Sequence, residues 1–225
     1  MAQVTYVRPS LGTGIYSYSE ASRLLCVSTA QIRGWAEGYV RWLQGSEQRG
    51  KPVLQQRPVQ GLLTFYDLIE LFFVREFRRT GVRLEEIRKA AAVLAEGLHT
   101  PYPFANSRLY TDGRQILREA GDQYENVARQ QHVFHFVQQF FKNIDFSQEL
   151  PEKWWPLGHE RQIVLDPHRS FGSPIDFKSG IRTDVIYATY QAEQDVEAVA
   201  EWYEIQCERV NAAIEFEEQW CKKAA

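Results

Sequence analysis

Apolar residues first recur at helical spacing shortly after the start of the chain. Ser19 precedes this stripe and carries a side-chain hydrogen-bond acceptor, and Glu20 suits the positive end of a helix. The apolar face of the stripe consists of Ala21, Leu24 and Leu25. The pattern therefore predicts a short first helix over Glu20 to Leu25, capped by Ser19.

A second helical stripe follows after a turn. Ile32 and Trp35 are three residues apart and are predicted to point inward, in a helix that Ser28 or Thr29 caps and that reaches about Trp35. The outward face carries Thr29, Gln31 and Arg33. Such a pair is either an ordinary helical hairpin or a helix-turn-helix, whose second helix reads base edges with side chains of this kind.

The helical period stops after Gly38, and residues 44–61 are rich in Gly, Pro and Ser around one apolar pair, Val53 and Leu54. This composition predicts a loop-like wing. Between Gly38 and Gly61 the only acidic residue is Glu47, against four basic residues, which are Arg41, Arg49, Lys51 and Arg57. A wing with this charge can neutralise phosphates and make DNA binding dependent on salt, whereas the alternative is a solvated basic loop.

Two further helices are predicted over residues 64–90, joined at Thr80 and Gly81, because Gly81 can adopt the left-handed conformation that ends a helix. The buried stripe of the second helix comprises Leu84, Ile87, Ala91 and Leu94. The order helix, turn, helix, wing and helix pair, with a Gly-Val-x-Leu-x-x-Ile turn, resembles the MerR-type winged DNA-binding domain from Tyr16 to Gly97. The resemblance implies that the second helix is the recognition helix and that the wing approaches the DNA backbone.

The candidate DNA-binding residues follow from this arrangement and the resemblance. They are Tyr18, Ser28, Thr29, Gln31, Arg33, Arg41, Arg49, Lys51 and Arg57. MerR regulators usually continue into a long dimerisation helix, but the run Thr100-Pro101-Tyr102-Pro103 excludes a continuous helix here. The chain therefore departs from the usual MerR layout after its DNA-binding part.

The net charge of −3 hides two halves of opposite sign. Residues 1–99 hold 13 Lys and Arg against 9 Asp and Glu, whereas residues 100–225 hold 13 against 20. The first half can face phosphate and the second half should avoid it. Because the sequence has neither a membrane span nor a signal-peptide core, we expect a cytoplasmic protein whose three scattered cysteines, Cys26, Cys207 and Cys221, are structural thiols.

The middle segment gives weaker signals. Asp112-Gly113 lies between two short apolar runs and predicts a tight hairpin with strands over 108–111 and 115–117. Residues 133–141 fit either a strand or a buried helix, and His132 and His135 lack the further ligands of a metal site, so no metal is predicted. The Trp154-Trp155-Pro156 run is interpreted as packing or an interface patch.

The C-terminal third predicts a short strand over 163–167, a turn-rich arm within 171–190, and three helices. Thr183 is predicted to cap the first of these helices over Asp184 to Tyr190, and Asp195 the second. Between Glu193 and Glu218 there are nine acidic residues and one basic residue, Arg209. This surface would repel a polyanion, so a protein partner is favoured over a second DNA site.

The C-terminal motifs resemble a small helical domain of bacterial antitoxins. They are Gly172-x-Pro174, Gly180-Ile181-x-Thr183, Val199-Ala200-x-x-Tyr203 and Val210-x-x-Ala213. Together with the MerR-like part and the Asp112-Gly113-Arg114 hairpin, this acidic unit resembles a VapB-type antitoxin of a type II toxin-antitoxin pair, and the resemblance spans most of the chain. The resemblance implies a non-catalytic dimer, without cofactors, that silences a PIN-like ribonuclease toxin and represses its own operon through operator DNA.

Aromatic residues of the acidic unit are the candidates for toxin binding. They are Trp202, Tyr203, Phe216 and Trp220. Core or dimer packing is the favoured interpretation for Tyr203 and Phe216. For the two tryptophans, packing and toxin binding are equal alternatives.

The sequence thus predicts a mainly α protein with small β elements (α+β). The predicted units are a winged helix-turn-helix over 1–99, a β-containing middle segment over 100–160 and a three-helix unit over 161–225. Alternative functions are a MerR-like regulator that senses a small molecule or metal through its C-terminal half, or an architectural DNA binder. An enzyme is disfavoured because none of the nucleophile, phosphate-loop or metalloprotease motifs occurs.

Overall fold

The computed structural model describes residues 13–43, 46–56, 61–119 and 140–224. In these ranges the chain is mainly helical with small antiparallel sheets, which confirms the predicted fold class. The helices are α1 (Tyr18–Leu25), α2 (Thr29–Ala36), α3 (Phe65–Arg79), α4 (Leu84–Leu98), α5 (Arg108–Thr111), α6 (Gly113–Glu119), α7 (Thr183–Glu193), α8 (Val196–Tyr203) and α9 (Cys207–Ala224). The strands are β1 (Tyr16–Ser17), β2 (Val40–Leu43), β3 (Ser46–Arg49), β4 (Leu62–Leu63), β5 (Ile144–Ser147), β6 (Leu150–Trp154), β7 (Ile163–Leu165) and β8 (Pro174–Asp176).

Both helices of the predicted helix-turn-helix form, but the cap of α1 is Ser17 and not Ser19. The Ser17 hydroxyl accepts from the Glu20 backbone N–H at 3.2 Å, and the Glu20 carboxylate accepts from the Ser17 N–H at 2.7 Å. This reciprocal pair requires a Glu three residues after the cap, which Ser17 has and Ser19 lacks. For α2 the structure selects Ser28 of the two predicted caps.

The wing is partly a β-hairpin. β2 and β3 pair in antiparallel register from Val40 opposite Arg49 to Leu43 opposite Ser46. The prediction of a loop from residue 44 was therefore wrong for β3, because its polar sequence gives no alternating pattern and its pairing depends on β2. Val53 and Leu54, the apolar pair of this stretch, are buried.

The helix pair after the wing agrees with the prediction. Gly81 lies between α3 and α4 with φ +89°, a conformation that a side chain would strain. Ile87, Ala91 and Leu94 are buried on α4, and Leu84 is half-buried. α4 ends at Leu98 before the proline-containing break.

The predicted ribbon around Asp112-Gly113 is wrong, because both flanks are helical as α5 and α6. Leu109 and Leu117 are buried in the core, and α6 packs against α4. Asp112 accepts a hydrogen bond from Arg108 one helical turn earlier, at 2.8 Å. Burial of the two leucines against α4 thus prevails over a local turn signal.

The middle of the chain forms one antiparallel sheet in the order β5-β6-β7-β8. β7 confirms the predicted short strand, whereas β8 lies within the segment predicted as a turn-rich arm. The arm is recruited because its backbone pairs with β7 in the register Ile163 to Asp176. Trp154 and Trp155 are 1% and 4% exposed, which confirms packing.

Three helices close the fold, and Asp195 caps α8 as predicted. Thr183 is not a cap, since α7 begins at that residue and its hydroxyl donates to Glu217 on α9 at 2.5 Å. α9 contributes to two cores: Val210 and Ala213 pack with α7 and α8, while Ala212 and Phe216 join the main core that contains the helix-turn-helix residues. The predicted three units therefore share a continuous core.

The cysteine prediction needs correction at one position. Cys26, the C-cap that follows α1, is disulfide-bonded, whereas Cys207 is free. Pairing depends on which elements the fold brings together, and α9 packs against α1. His132, His135 and most of the 133–141 run lie outside the described residues. Among the helices described, none is long and apolar enough to cross a membrane.

Candidate nucleic-acid interface and C-terminal partner surface

The outer face of α2 is the centre of the candidate DNA site. Thr29, Gln31 and Arg33 are exposed, while Ile32 and Trp35 are 0% and 2% exposed on the opposite face. The backbone N–H of Val53 donates to the Trp35 carbonyl at 2.7 Å and fixes the chain after the wing against α2. The structure therefore places the three predicted side chains at exposed positions of one helix.

Ser28 and Gln31 are engaged with each other at the start of α2. The Ser28 hydroxyl accepts from the Gln31 N–H at 3.2 Å, and the Gln31 side-chain oxygen accepts from the Ser28 N–H and hydroxyl at 3.0 Å each. This capping box fixes the Gln31 side chain before any ligand binds. Base contacts by Ser28 and Gln31 stay predictions.

Tyr18 is buried beneath Arg33 rather than displayed on the surface. Its side chain is 5% exposed, its hydroxyl donates to Glu37 Oε1 at 2.8 Å, and the Arg33 guanidinium carbon lies 5.9 Å from its ring centroid. Burial, with a further contribution from Glu37, raises the pKa of Tyr18 to about 12. The phenol is therefore protonated at physiological pH and acts as a donor.

The wing begins directly after α2. Gly38 has φ +94°, and a Cβ there would lie 1.9 Å from the Gly50 carbonyl oxygen, so the two ends of the hairpin meet at a place where a side chain cannot fit. Gly50 N–H donates to the Tyr39 carbonyl at 2.8 Å. This closure joins the base of the β2–β3 hairpin directly to the end of α2.

The structure describes three of the four predicted basic residues of the wing at least in their backbone positions. Arg41 and Arg49 lie on β2 and β3, and Arg41 is opposite Gln48, so the backbone brings both arginines to the hairpin. Lys51 is exposed immediately after it. Arg57 lies outside the described residues. Phosphate contacts by all four residues stay predictions.

A buried ion pair supports the site, and the sequence reasoning missed it. Arg75 on α3 is 4% exposed, donates to the carbonyl of Leu25 at 3.0 Å, and pairs with the neighbouring Glu76. Leu25 is the last residue of α1, so Arg75 satisfies a carbonyl that the helix end leaves without an intrahelical partner. The sequence signal for this buried pair was an arginine within the otherwise apolar pattern of α3.

The four aromatic candidates of the C-terminal unit do not form one patch. Trp202 on α8 is 70% exposed, whereas Phe216 on α9 is 3% exposed in the main core. Tyr203 is half-buried and its hydroxyl lies 2.7 Å from that of Thr189. The side chain of Trp220 lies outside the described residues. Of the three that are described, Trp202 is the one that is mostly exposed to solvent.

The single basic residue of the acidic segment is used internally. The Arg209 guanidinium contacts both carboxylate oxygens of Asp176, at 2.7 and 2.5 Å, and Asp176 is 0% exposed. Trp202 is consequently surrounded in sequence by exposed carboxylates on and beside α8, namely Glu197, Glu201, Glu204 and Glu208. The described surface of this unit therefore carries several negative charges near Trp202 in sequence.

One carboxylate links the C-terminal unit to the DNA-binding half. Glu217 on α9 accepts from Arg23 on α1 at 2.6 Å and from the Thr183 hydroxyl on α7 at 2.5 Å, and its side chain is 8% exposed. α1 and α7 are thereby tied to the same helix. The two candidate binding surfaces lie on one connected framework.

The sequence of this chain is similar to those of known proteins. Residues 14–91 match the family described as "Putative DNA-binding HTH domain". The protein named "Putative antitoxin VapB45" from Mycobacterium tuberculosis (strain ATCC 25618 / H37Rv) is 27% identical, over 89% of this chain and 92% of that protein. The chain is a homologue of that antitoxin-named protein. This confirms the resemblance to a VapB-type antitoxin and the helix-turn-helix at the N-terminus.

A solved structure has a similar fold. The X-ray crystal structure of Rv2018 from Mycobacterium tuberculosis matches with a TM-score of 0.72 and 24% identity, covering 92% of this chain and 100% of the solved chain. The arrangement of helix-turn-helix, central sheet and C-terminal helices is therefore a shared fold. The MerR relationship, a dimer and a PIN-like partner stay predictions.

Proposed function

We propose that this chain is the antitoxin of a type II toxin-antitoxin pair. It binds operator DNA through the exposed face of α2 and the wing, and it neutralises a PIN-like ribonuclease through the acidic C-terminal unit, without catalysis of its own. Homology to a VapB-named antitoxin supports the pairing with a toxin. A dimer would place two recognition helices on two half-sites.

The observation that carries the proposal is the separation of charge across one framework. The outer face of α2 offers a hydroxyl, an amide and a guanidinium, which are the groups that hydrogen-bond to base edges and phosphates. The exposed face of α8 offers carboxylates around Trp202. A nuclease that binds RNA has a basic substrate surface, and an acidic surface with an aromatic anchor is complementary to it.

The test is co-expression of this chain with the product of the reading frame next to its gene. We expect growth arrest by that product alone, relief by this chain, and co-purification of the two proteins. The same preparation should bind the DNA upstream of the pair more tightly than a scrambled fragment. A harmless neighbour that does not co-purify would contradict the toxin half of the proposal, and equal binding to both fragments would contradict the DNA half.

Point variants are preferable to truncation in this test. Removing everything after Leu157 would take Ile163, Leu165 and Phe216 out of the main core and unfold the DNA-binding half with it. Reversal of charge by Glu197→Lys together with Glu201→Lys changes exposed positions of α8 only. It should abolish neutralisation, whereas Glu96→Lys, on an exposed position of α4, should not.

A further inference from the structure

The buried hydroxyl of Tyr18 joins two helices of the DNA-binding half. Tyr18 is the first residue of α1, and its hydroxyl donates to Glu37, which caps the C-terminal end of α2. One side chain therefore fixes the spacing between α1 and the helix that carries Arg33.

The ring of Tyr18 is at the same time a platform for Arg33. The guanidinium carbon is 5.9 Å from the ring centroid, within the range of a cation–π contact. Glu37 N–H donates to the Arg33 carbonyl at 2.8 Å. Glu37 therefore contacts both the Tyr18 hydroxyl, through its carboxylate, and the backbone of Arg33. Arg33 is otherwise exposed and would sample many rotamers.

We infer that Tyr18 and Glu37 are positioning residues that preorganise Arg33 for a base or phosphate contact. This inference rests on the proposed DNA binding by α2. Tyr18 does not act as a direct DNA contact in this scheme, because it is 5% exposed and its hydroxyl donates inward. An arginine already held over an aromatic face loses less side-chain entropy on binding than a free one.

Three substitutions separate positioning from charge and from packing. Glu37→Ala removes the acceptor and the negative charge, whereas Glu37→Gln removes the charge but keeps a side-chain oxygen for the Tyr18 hydroxyl. Tyr18→Phe keeps the ring and removes the hydroxyl. Glu96→Ala, at an exposed position of α4, is the matched control for loss of one surface carboxylate.

The first readout needs no DNA. The NMR signals of the Arg33 side chain should carry a ring-current shift from Tyr18, which should decrease in Glu37→Ala and Tyr18→Phe and persist in Glu37→Gln and Glu96→Ala. Thermal unfolding of each variant verifies that the fold is retained. An Arg33 shift that does not change in Glu37→Ala would overturn the inference.

The second readout is binding to the upstream DNA fragment and to its scrambled version. Glu37→Ala should weaken specific binding about fivefold, the scale of one cation–π contact, with the salt slope unchanged. Glu37→Gln should restore it. In an Arg33→Ala background the effect of Glu37→Ala should vanish, because the pair acts through Arg33.

The outcomes distinguish the inference from the proposed function. If the wild-type chain does not prefer the upstream fragment, the proposed function fails, and the inferred role of the pair in DNA binding fails with it. If the wild-type chain prefers it but Glu37→Ala binds equally well, or its loss persists without Arg33, the inference alone is overturned. The inference is supported if Glu37→Ala weakens specific DNA binding, Glu37→Gln does not, and Glu37→Ala has no further effect in an Arg33→Ala background.

Discussion

Trp202 and Phe216 are both aromatic residues of the acidic C-terminal unit, and the structure gives them opposite expected responses to truncation. Phe216 is 3% exposed and packs in the main core, so Phe216→Ala removes a buried ring and leaves a cavity. Changes of this kind cost about 3–5 kcal/mol. Since a native domain is stable by about 5–15 kcal/mol, this one substitution removes a large part of the total.

Trp202 is 70% exposed, so its truncation uncovers little apolar surface. We expect Trp202→Ala to change the free energy of unfolding by less than about 0.5 kcal/mol. If Trp202 is the anchor for the toxin, the same change should weaken toxin binding by about 2 kcal/mol or more, which is roughly 30-fold in Kd. Phe216→Ala should therefore lower the stability of the fold, whereas Trp202→Ala should lower the affinity for the toxin.

Urea unfolding followed by circular dichroism measures the first quantity, and titration of the purified candidate toxin measures the second. For Phe216→Ala, binding should be retained in whatever fraction of the protein is folded. Destabilisation by more than about 1 kcal/mol in Trp202→Ala would refute its assignment to the surface. Wild-type affinity in that variant would refute its role as the anchor, and the acidic face alone would then have to hold the toxin.

Further predictions concern the DNA surface and two buried carboxylates. Arg33→Ala should weaken specific DNA binding and, if Arg33 contacts a base, relax the preference at one position by about 1–3 kcal/mol; mobility shifts with single-base variants measure it, and unchanged binding would exclude Arg33. Lys51→Ala should weaken binding to all DNA alike and make the slope of log K against log salt shallower by about one unit, and an unaltered slope would exclude a phosphate contact. Burial raises the pKa of Glu70 to about 8, so the folded state holds a proton that the unfolded chain releases at lower pH; stability should be greatest below the unfolded pKa and fall as pH rises towards 8, while Glu70→Gln should flatten unfolding curves measured from pH 5 to 9. Arg209→Met leaves buried Asp176 without its cation and should cost about 3–5 kcal/mol, whereas adding Asp176→Asn should recover part of it; equal stability of the single variant and the wild type in urea would argue against the pair.

Glu70 shows why some buried charges escaped the sequence analysis. Its side-chain oxygen accepts from the backbone N–H groups of Phe104 and Ala105, at 2.6 and 2.7 Å, just after the proline-containing break. No residue close to Glu70 in the sequence of α3 marks it as a buried hydrogen-bond acceptor, because its partners are more than thirty residues away. Periodicity records which face of a helix is buried, but it does not record what a polar side chain on that face will meet.

Local patterns were sufficient where one residue or one helical face decides the structure. The inward Ile32 and Trp35, the left-handed Gly81 and the Asp195 cap were all predicted correctly, because each depends on neighbours within about one helical turn. The division into a basic half and an acidic half is likewise a property of the sequence. The resemblance that the homologue confirms rested on the helix-turn-helix part and on motifs of the acidic C-terminal unit.

The tertiary structure decided everything that required a distant partner. The Asp112-Gly113 turn signal lost to burial of Leu109 and Leu117 against α4, and β8 became a strand only because β7 is beside it. It also separated Trp202 from Phe216, which the sequence treated alike, and buried Tyr18 beneath Arg33. The sequence by itself determined the helices, their faces and the charge of each half, since these follow from short-range sterics and hydrophobic periodicity. Which side chains meet, and which stay exposed for DNA or a protein partner, depended on long-range packing.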